Sequence, residues 1–596
     1  MGSLCREVVT LQLGHYSNFV GTHWWNIQDA ALCYDVEPSD PYCEISNNVL
    51  FREGLTLQGQ PTYTPRLILM DLKGTRIFQS SLDSGSLSSL KQEGALYGIS
   101  QTEPAVTWKG NLTVHKEDPI IKNQFLQHLD RLSGEVHSNR NPNPTAFQGE
   151  ERAVPVSVAE RPLDLSQSTY RLESNVRVWS DYLRVHLHPK TISVIQQYNH
   201  NSSPDRFEAF GFGEKLIRDP AFLDDFEDRL HFYIEECDYL QGFHVLCDLQ
   251  DGFAGLSAKV VELLNDEYGG KGIFTCGFTP TSYTDTNPVK EIYRLLNSVM
   301  GIVHLSSRSS IFCPMSLNRN VLGRKRISPV TFPHVMYDAS LNYHSSAILA
   351  TALETLTIPY RLQSSTVSLT QLSDALNLSG RKVITASASV PFPMRDTDTL
   401  PDVLCSQQTE LPWIGLSPCG EFKDARCFAQ SVVIRGVSSE QQVSNLAPGV
   451  KGASILHTCP TGEDVLSTFL HSHFPTTMSA VHLAQTPCKV TTPYPQFFTP
   501  SFNKWGQLTA SGLSSASAVE SIPVLTALQS SPVLHSVLHN LYREVSRLNL
   551  RKFSTFLSAG TELDDFKEVL EELRSLSQCY KMNFDMDESE DDSDAE

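Results

Sequence analysis

The hydrophobic positions in the first part of this chain follow two spacings, and each spacing predicts a different kind of element. Continuous apolar or β-branched runs are typical of buried parallel strands and occur at 7–13, 66–72, 243–249, 273–278 and 301–305. Apolar residues three and four positions apart predict helices, which we expect over 18–32, 120–132, 222–237, 258–264, 289–300 and 347–353. Strands that alternate with helices predict an α/β fold with a mainly parallel sheet.

The pattern changes past Pro359, where we expect a second domain to begin. Two strands are predicted there, at Val383–Pro391 and Arg426–Gly436, and two amphipathic helices at 533–548 and 563–576. We therefore divide the chain into a first domain over 1–360, a second α/β domain over 361–525, a helical segment over 526–580 and an acidic tail over 581–596.

A short turn near the start of the chain joins the first predicted strand to a helix. A strand, a glycine-bounded turn and a helix together aim backbone N–H groups and the positive end of a helix dipole at an anion. Gly14, His15 and Tyr16 are therefore candidate ligand-binding residues. The same arrangement also occurs in α/β proteins that bind nothing there, so the pattern leaves a purely structural turn open.

The residues around this turn resemble the amino terminus of tubulins, R-E-I-V-x-x-Q-x-G-Q-C-G-N-Q-I-G-x-x-F-W. The matching positions include Arg6, Glu7, Gly14 and Asn18, and the later run 237–243 matches the tubulin motif C-x-x-L-Q-G-F. This resemblance implies a tubulin-like α/β fold, with a Rossmann-type nucleotide-binding domain, a second α/β domain and C-terminal helices. It also implies GTP or GDP as a cofactor.

A second candidate site residue, Asp71, ends the strand predicted at 66–72. A carboxylate at the end of a strand in a doubly wound sheet lies at the ligand crevice, although it can equally cap a turn. Asp71 corresponds to the aspartate of the tubulin motif V-D-L-E-P-G-T. The glutamate that helps to hold magnesium in tubulins is replaced by Lys73, whose positive charge would repel a divalent metal.

The loop over 250–256 stands where tubulins carry the phosphate-binding sequence G-G-G-T-G-S-G. Its counterparts here are Gly252, Phe253, Ala254 and Gly255, which we take as candidate cofactor-binding residues. Each added Cβ closes backbone conformations that a phosphate-wrapping loop needs, and Asp251 adds a negative charge beside the phosphate position. These changes argue against ordinary nucleotide binding, so the cofactor stays open between none and GTP or GDP.

Two more tubulin motifs are altered in the second half of the chain. Tyr337 and Asn342 resemble the residues that stack on and bond the guanine base, and they could equally be packing and capping residues. Ser368 and Gln371 stand where alpha-tubulin has the acidic residues of D-L-T-E-F. Since an amide cannot act as a general base at neutral pH, we expect no catalytic residue and an inefficient, degenerate GTPase.

The block Trp179–Tyr198 is identified with the Misato family, the tubulin-related proteins tied to mitochondrial distribution and morphology. We place it in a family-specific insertion over about 100–205. The resemblance implies a non-polymerising interaction protein that regulates mitochondrial distribution, morphology and fusion. The alternatives are an active, filament-forming GTPase and a tubulin-assembly or chaperone-linked factor for spindle microtubules.

Composition and charge limit the partners. The net charge is −20, and residues 585–596 hold eight acidic and no basic residues, which predicts a disordered, self-repelling tail and disfavours nucleic acid. No apolar run is long enough to span a bilayer, and thirteen cysteines without a C-x-x-C pair favour a cytosolic setting and no metal site. We expect protein partners, mitochondrial outer-membrane or cytoskeletal and chaperonin proteins, with peripheral association at the mitochondrial outer membrane.

Overall fold

A computed structural model describes most of the chain. The described residues are 6–32, 44–55, 61–73, 122–129, 131, 170–200, 206–283, 287–319, 328–406, 411–419, 426–444, 454–509 and 518–582. The acidic tail over 585–596 and most of the insertion predicted at about 100–205 lie outside these residues. In the described part, no helix is both long enough and apolar enough to cross a membrane.

Fifteen strands are seen in the described part of the chain. In chain order they are β1 Glu7–Leu13, β2 Phe51–Leu55, β3 Pro61–Pro65, β4 Leu67–Lys73, β5 Ile192–Asn199, β6 Leu240–Asp248, β7 Gly272–Phe278, β8 Ile311–Met315, β9 Thr385–Ser389, β10 Ile414–Gly415, β11 Ala429–Arg435, β12 Met478–Ala484, β13 Cys488–Lys489, β14 Ser521–Ile522 and β15 Val524–Ser530. The first large sheet has the order β5-β4-β1-β6-β7-β8, and all of its neighbouring pairs are parallel.

Helices cover both faces of this sheet. In chain order the α-helices are α1 His15–Ala31, α2 Phe210–Ile217, α3 Pro220–Glu235, α4 Gly252–Glu267, α5 Pro288–Arg308, α6 Asn342–Leu356, α7 Leu369–Leu376, α8 Leu400–Ser406, α9 Ser439–Gln442, α10 Gly462–His473, α11 Val533–Ser546, α12 Ser554–Ser558 and α13 Leu563–Gln578. Residues 124–129 are also helical, inside the helix predicted at 120–132.

The alternation of side chains along β1 shows how the core is divided. Val8 packs with α1 and α6 on one face of the sheet, whereas Val9 and Leu11 pack with α2–α5 and the C-terminal helices on the other. Every residue of β1 is buried, as expected for a central parallel strand covered on both faces. The largely apolar and β-branched run in the sequence is therefore explained by burial of both faces.

The second sheet is mixed and has the order β10-β9-β15-β11-β12. Its β11 pairs parallel with β12 and antiparallel with β15. The helical segment predicted over 526–580 begins later, because Val524–Ser530 is a strand of this sheet. Its two long helices, α11 and α13, pack against the first domain, and the Tyr580 hydroxyl donates to the Val383 carbonyl at 2.7 Å.

Two other boundaries differ from the sequence prediction. The strand predicted at 301–305 is wrong, because these residues continue α5, and the next strand is β8. Their apolar run is a buried face of a helix, which a short run cannot distinguish from a strand. The insertion also ends earlier than 205, because β5 pairs in parallel with β4 and forms an edge of the first sheet.

A buried ion cluster joins the two domains. Glu354 of α6 contacts Arg361 at 2.7 Å and Arg435, at the end of β11, at 3.3 Å, and all three side chains are 1–3% exposed. The Trp24 indole N–H donates to the same carboxylate at 2.9 Å. Because the cluster includes α1, α6 and β11, it fixes the second sheet to the helices of the first domain.

Candidate functional site

The candidate site lies where three neighbouring parallel strands end. The register pairs Leu13 of β1 with Met70 of β4 and with Cys247 of β6. The residues that follow these pairs are Gly14, Asp71 and Asp248, so the sheet brings all three to the same edge. This is the position at which open α/β sheets bind ligands.

The first feature of the site is a carboxylate on the amino-terminal end of α1. Asp248 accepts hydrogen bonds from the backbone N–H groups of Tyr16 at 2.8 Å and Ser17 at 2.7 Å. Helix α1 has no side-chain cap of its own, so this cap comes from a strand more than 230 residues away. Gly14 adopts φ 126°, and a Cβ there would lie 2.5 Å from the Asp248 Cγ. Glycine is therefore required where the carboxylate meets the turn.

A second carboxylate covers the neighbouring helix end. Asp251 is the N-cap of α4 and accepts from the Phe253 backbone N–H at 2.9 Å. Burial, held back by the two backbone donors, raises the pKa of Asp248 to about 7. Burial and the adjacent Asp248 raise the pKa of Asp251 well above its usual range. The site therefore disfavours any additional negative charge.

Asp71 is held by two side chains at the same edge, and its Oδ1 also accepts from the Leu72 backbone N–H at 2.8 Å. Its Oδ2 accepts from the Trp179 indole N–H at 2.8 Å and lies 3.1 Å from the His15 Nδ1. Although burial opposes the charged form of each, the pair raises the pKa of His15 and lowers that of Asp71. The His15 ring also packs against the His200 ring at a tilt of 34°, with ring centroids 4.2 Å apart. Asp71 is thus a buried, paired carboxylate.

Tyr16 closes the gap between α1 and α6. Its side chain is 2% exposed, and its hydroxyl donates to the Ser345 Oγ at 2.9 Å. Asn342, the predicted base-binding residue, begins α6 one turn before Ser345. The hydroxyl of Tyr337 donates to the Val330 carbonyl, so this residue makes a packing contact within its own loop.

The residues over 252–255 lie in the first turn of α4 and are buried there. A Cβ on Gly255 would lie 2.0 Å from the Phe210 carbonyl oxygen, and one on Gly252 would lie 2.8 Å from the Phe207 ring. Phe253 packs edge-on against Phe207, with centroids 5.0 Å apart, and Ala254 is fully buried. Glycine is needed here because α2 and Phe207 pack directly on α4.

Three positions at which this chain departs from the tubulin motifs are Ser368 and Gln371 in the second domain and Lys73 in the first. Gln371 and Ser368 form a capping box at the start of α7, in which the Ser368 N–H donates to the Gln371 Oε1 at 2.9 Å. The Leu369 N–H donates to the Gln241 Oε1 at 3.0 Å. Lys73 is exposed at the end of β4. The run 237–243 therefore positions α7 through Gln241.

A cavity of about 450 Å³ adjoins the site. Its lining combines acidic, basic and aromatic side chains. The acidic residues are Glu208, Asp248 and Asp251, the basic ones are Arg206, Lys290 and Arg294, and the aromatic rings belong to His200, Phe207, Phe278, Tyr283 and Tyr293. Glu208 pairs with Arg206 at 2.8 Å and with Lys290 at 3.3 Å. The Arg294 guanidinium lies 3.9 Å from the centre of the Tyr283 ring.

This geometry does not fit nucleotide phosphates bound at the two helix ends. The N–H groups of Tyr16, Ser17 and Phe253, which would face a phosphate, already donate to carboxylates of the protein. A phosphate placed there would have to displace these carboxyl groups, or would meet any charge that they carry at close range. The fold of a phosphate site is therefore retained while its donors are used internally.

Sequence reasoning missed Asp248, the carboxyl group that caps α1 at this site. Asp248 is the one charged residue in the strand β6, at its carboxyl end, which is the same signal that identified Asp71. Trp179 was noted as part of a family-specific block, but its hydrogen bond to Asp71 spans 108 residues and has no local signature.

Comparison with known proteins identifies related chains over nearly the full length. A family model described as the Misato Segment II tubulin-like domain matches residues 6–131, and a tubulin-domain model matches residues 169–362. "Protein misato homolog 1" of Bos taurus is 50% identical over 581 residues, which cover 98% of this chain and 99% of the relative. The human protein of that name is 48% identical over the same shares, and "Protein misato" of Drosophila melanogaster is 28% identical over 96% of this chain and 98% of its own. The tubulin-like fold and the family resemblance are thereby confirmed.

Proposed function

Because the chain belongs to the Misato family of tubulin-like proteins, we propose that it is a non-polymerising interaction protein that supports mitochondrial distribution, morphology and fusion without efficient GTP hydrolysis. The mitochondrial setting rests on the family resemblance. The absence of efficient hydrolysis rests on the geometry of the site.

The observation that carries the proposal is the occupation of both helix ends by Asp248 and Asp251. In a tubulin-like GTPase these ends would bind phosphate through free N–H groups and the helix dipole. Here backbone N–H groups of each end already donate to a carboxyl group of the same chain at 2.7–2.9 Å. Binding of a triphosphate would have to break these hydrogen bonds, each of which contributes about 0.5–1.5 kcal/mol, or about 1.5–3 kcal/mol where the carboxyl group is ionised.

The hydrolytic position supports the same proposal. Gln371 stands where the resemblance places a catalytic glutamate, and its amide oxygen accepts from the Ser368 N–H. An amide has no basic lone pair that can take a proton from water at neutral pH. The side chain therefore stabilises the start of α7, and no proton acceptor takes its place in this motif.

For its partners and location we propose proteins of the mitochondrial outer membrane or of the cytoskeletal and chaperonin machinery, met in the cytoplasm and peripherally at that membrane. A net charge of −20 favours protein surfaces with basic patches and disfavours nucleic acid.

The first experiment measures nucleotide in the purified full-length protein. We expect mass spectrometry to find no stoichiometric guanine nucleotide, and GTP turnover to stay at the rate of buffer. The Asp71→Asn variant and a control at the exposed Asp374, Asp374→Asn, should behave like the parent chain. Stoichiometric GTP with turnover that Asp71→Asn abolishes and Asp374→Asn leaves unchanged would refute the proposal.

The second experiment locates the protein in cells and tests its requirement there. We expect it to sediment with mitochondria, to be released by high salt, and its depletion to fragment or collapse the mitochondrial network. A location on spindle microtubules with normal mitochondria after depletion would instead favour a tubulin-assembly role.

A further inference from the structure

A row of basic side chains follows one face of α11. His535, His539, Arg543 and Arg547 are spaced four residues apart, which places them one above the other on a helix. Both arginines are exposed, and the two histidine rings stack with centroids 5.9 Å apart. The row runs from His535 to Arg547, twelve residue steps, or about 18 Å of helix.

Two further cations, Arg574 in α13 and Lys581 just after it, lie beside this row. The Ser577 carbonyl accepts from the His535 Nδ1 at 2.9 Å, which fixes the end of α13 against the start of α11. The guanidinium of Arg574 lies 5.9 Å from the ring centre of Tyr542, the residue before Arg543. The resulting surface, called the basic strip below, consists of His535, His539, Arg543, Arg547, Arg574 and Lys581.

The charges of the basic strip act on one another. Burial, followed by the electrostatic effect of His535, Arg543, Arg574 and Lys581, lowers the pKa of His539. Arg543, Arg574 and Lys581, the groups of fixed charge that act on this histidine, are thus all cationic. Like charges at this spacing destabilise one another, so a covering anion would stabilise the surface.

The chain leaves the described region at this surface. Met582 follows directly on Lys581 and lies against Arg426, with 3.8 Å between its sulfur and the guanidinium. Residues 583–596 come next and contain eight acidic and no basic residues. Fully extended, these fourteen residues reach about 46–50 Å, more than twice the length of the strip.

We propose that residues 583–596 dock on the basic strip of the same molecule and cover it. The opposite charges, the starting point beside Lys581 and the reach of the segment all favour this occupant. Docking within one chain works at an effective concentration of about 1 mM for a short connection. A segment that binds the strip with a Kd of about 0.1 mM in trans would therefore be mostly bound in cis, and would exclude other acidic partners about tenfold.

The test measures binding of a fluorescent peptide, residues 583–596, to full-length protein by anisotropy. In the tail-neutral variant, each Asp and Glu from 585 to 596 is replaced by Asn or Gln, which exposes the strip without shortening the chain. In the strip-neutral variant, the same chain also carries Arg543→Gln, Arg547→Gln, Arg574→Gln and Lys581→Gln. The matched control instead adds four substitutions at exposed cations elsewhere, Arg171→Gln, Lys190→Gln, Arg218→Gln and Lys504→Gln.

We expect the tail-neutral chain to bind the peptide about tenfold more tightly than the parent chain, and this affinity to fall with salt because the contact is ionic. The strip-neutral variant should lose the gain, and the matched control should keep it. Equal affinity of the parent and tail-neutral chains, or tight binding that survives neutralisation of the strip, would overturn the proposal. Capture of phosphatidylserine vesicles by the tail-neutral chain without peptide binding would also overturn it, and would assign the strip to an anionic membrane.

Discussion

The carboxylate of Asp248 provides the sharpest test of how the site is built, through the substitution Asp248→Asn. Asp248 is 6% exposed, and its carboxyl group accepts two backbone hydrogen bonds at the start of α1. Burial raises its pKa from 3.8 to about 7 in the folded chain. The unfolded chain therefore loses this proton first as the pH rises, and ionisation of Asp248 lowers the free energy of unfolding between about pH 4 and pH 7.

The size of the effect follows from the shift in pKa. At about 1.36 kcal/mol per pKa unit, a rise from 3.8 to about 7 corresponds to about 4 kcal/mol. Asp251 and His15 titrate beside Asp248 and share part of this effect, so we expect about 2–4 kcal/mol. The contribution is fully present below about pH 4, is lost as the pH rises to about 7, and is constant above that value. The Asp248→Asn variant lacks it.

The assay is urea unfolding of full-length chains between pH 5 and pH 8, followed by the fluorescence of the buried tryptophans. As the pH rises across this range, the free energy of unfolding of the parent chain should fall by about 1–3 kcal/mol relative to that of Asp248→Asn. The control Asp374→Asn, at an exposed aspartate, should run parallel to the parent chain. Parallel curves for Asp248→Asn as well would refute the assignment of a buried, raised-pKa carboxylate.

Three further predictions concern the framework of the site. Glu354→Gln leaves two buried guanidinium groups without their carboxylate and should lower the free energy of unfolding by about 3–5 kcal/mol, measured by urea titration. Gly213→Ala places a Cβ 1.9 Å from a backbone oxygen of α4 and should lower the free energy of unfolding by about 1–3 kcal/mol or more. Gly269→Ala is the control, because its Cβ would lie 3.7 Å from the nearest atom; it should change the free energy of unfolding by less than about 0.5 kcal/mol in the same urea titration. Trp179→Phe removes a donor that lowers the pKa of Asp71, and should destabilise by about 1.5–3 kcal/mol at pH 7. Because the folded pKa of Asp71 lies below 3.8, the loss should stay the same down to about pH 4 and shrink only at lower pH; an equal loss at pH 7 and at a pH well below 3.8 would contradict this.

Most of the first sheet could be predicted because its strands are buried on both faces. A strand such as β6 is apolar over most of its length, and a helix such as α3 shows its buried stripe at a regular spacing. The prediction of a strand at 301–305 is wrong because an unbroken apolar run, which identified the true strands, marks burial and not strand structure itself. A helix buried against two others, like α5, also contains an unbroken apolar run.

The candidate site was predictable in position and only partly in composition. Gly14 and Asp71 could be placed at one edge because parallel neighbours end together. The loop glycines were assigned to phosphate binding, yet Gly252 and Gly255 are required by the close approach of Phe207 and α2. Glycine permits both uses, and only the neighbouring elements distinguish them.

The sequence by itself determined the class of fold, the family and the edge of the sheet at which a ligand would be expected, because burial pattern, turn chemistry and motif spacing are local properties of the chain. Only the tertiary structure decided what fills that edge. The N–H groups of α1 could have faced a phosphate, water or a side chain, and their partner is a carboxylate on β6 that lies 232 residues further along the chain. Such a partner has no local signal, since the hydrogen bond exists only when β1 and β6 are paired in register.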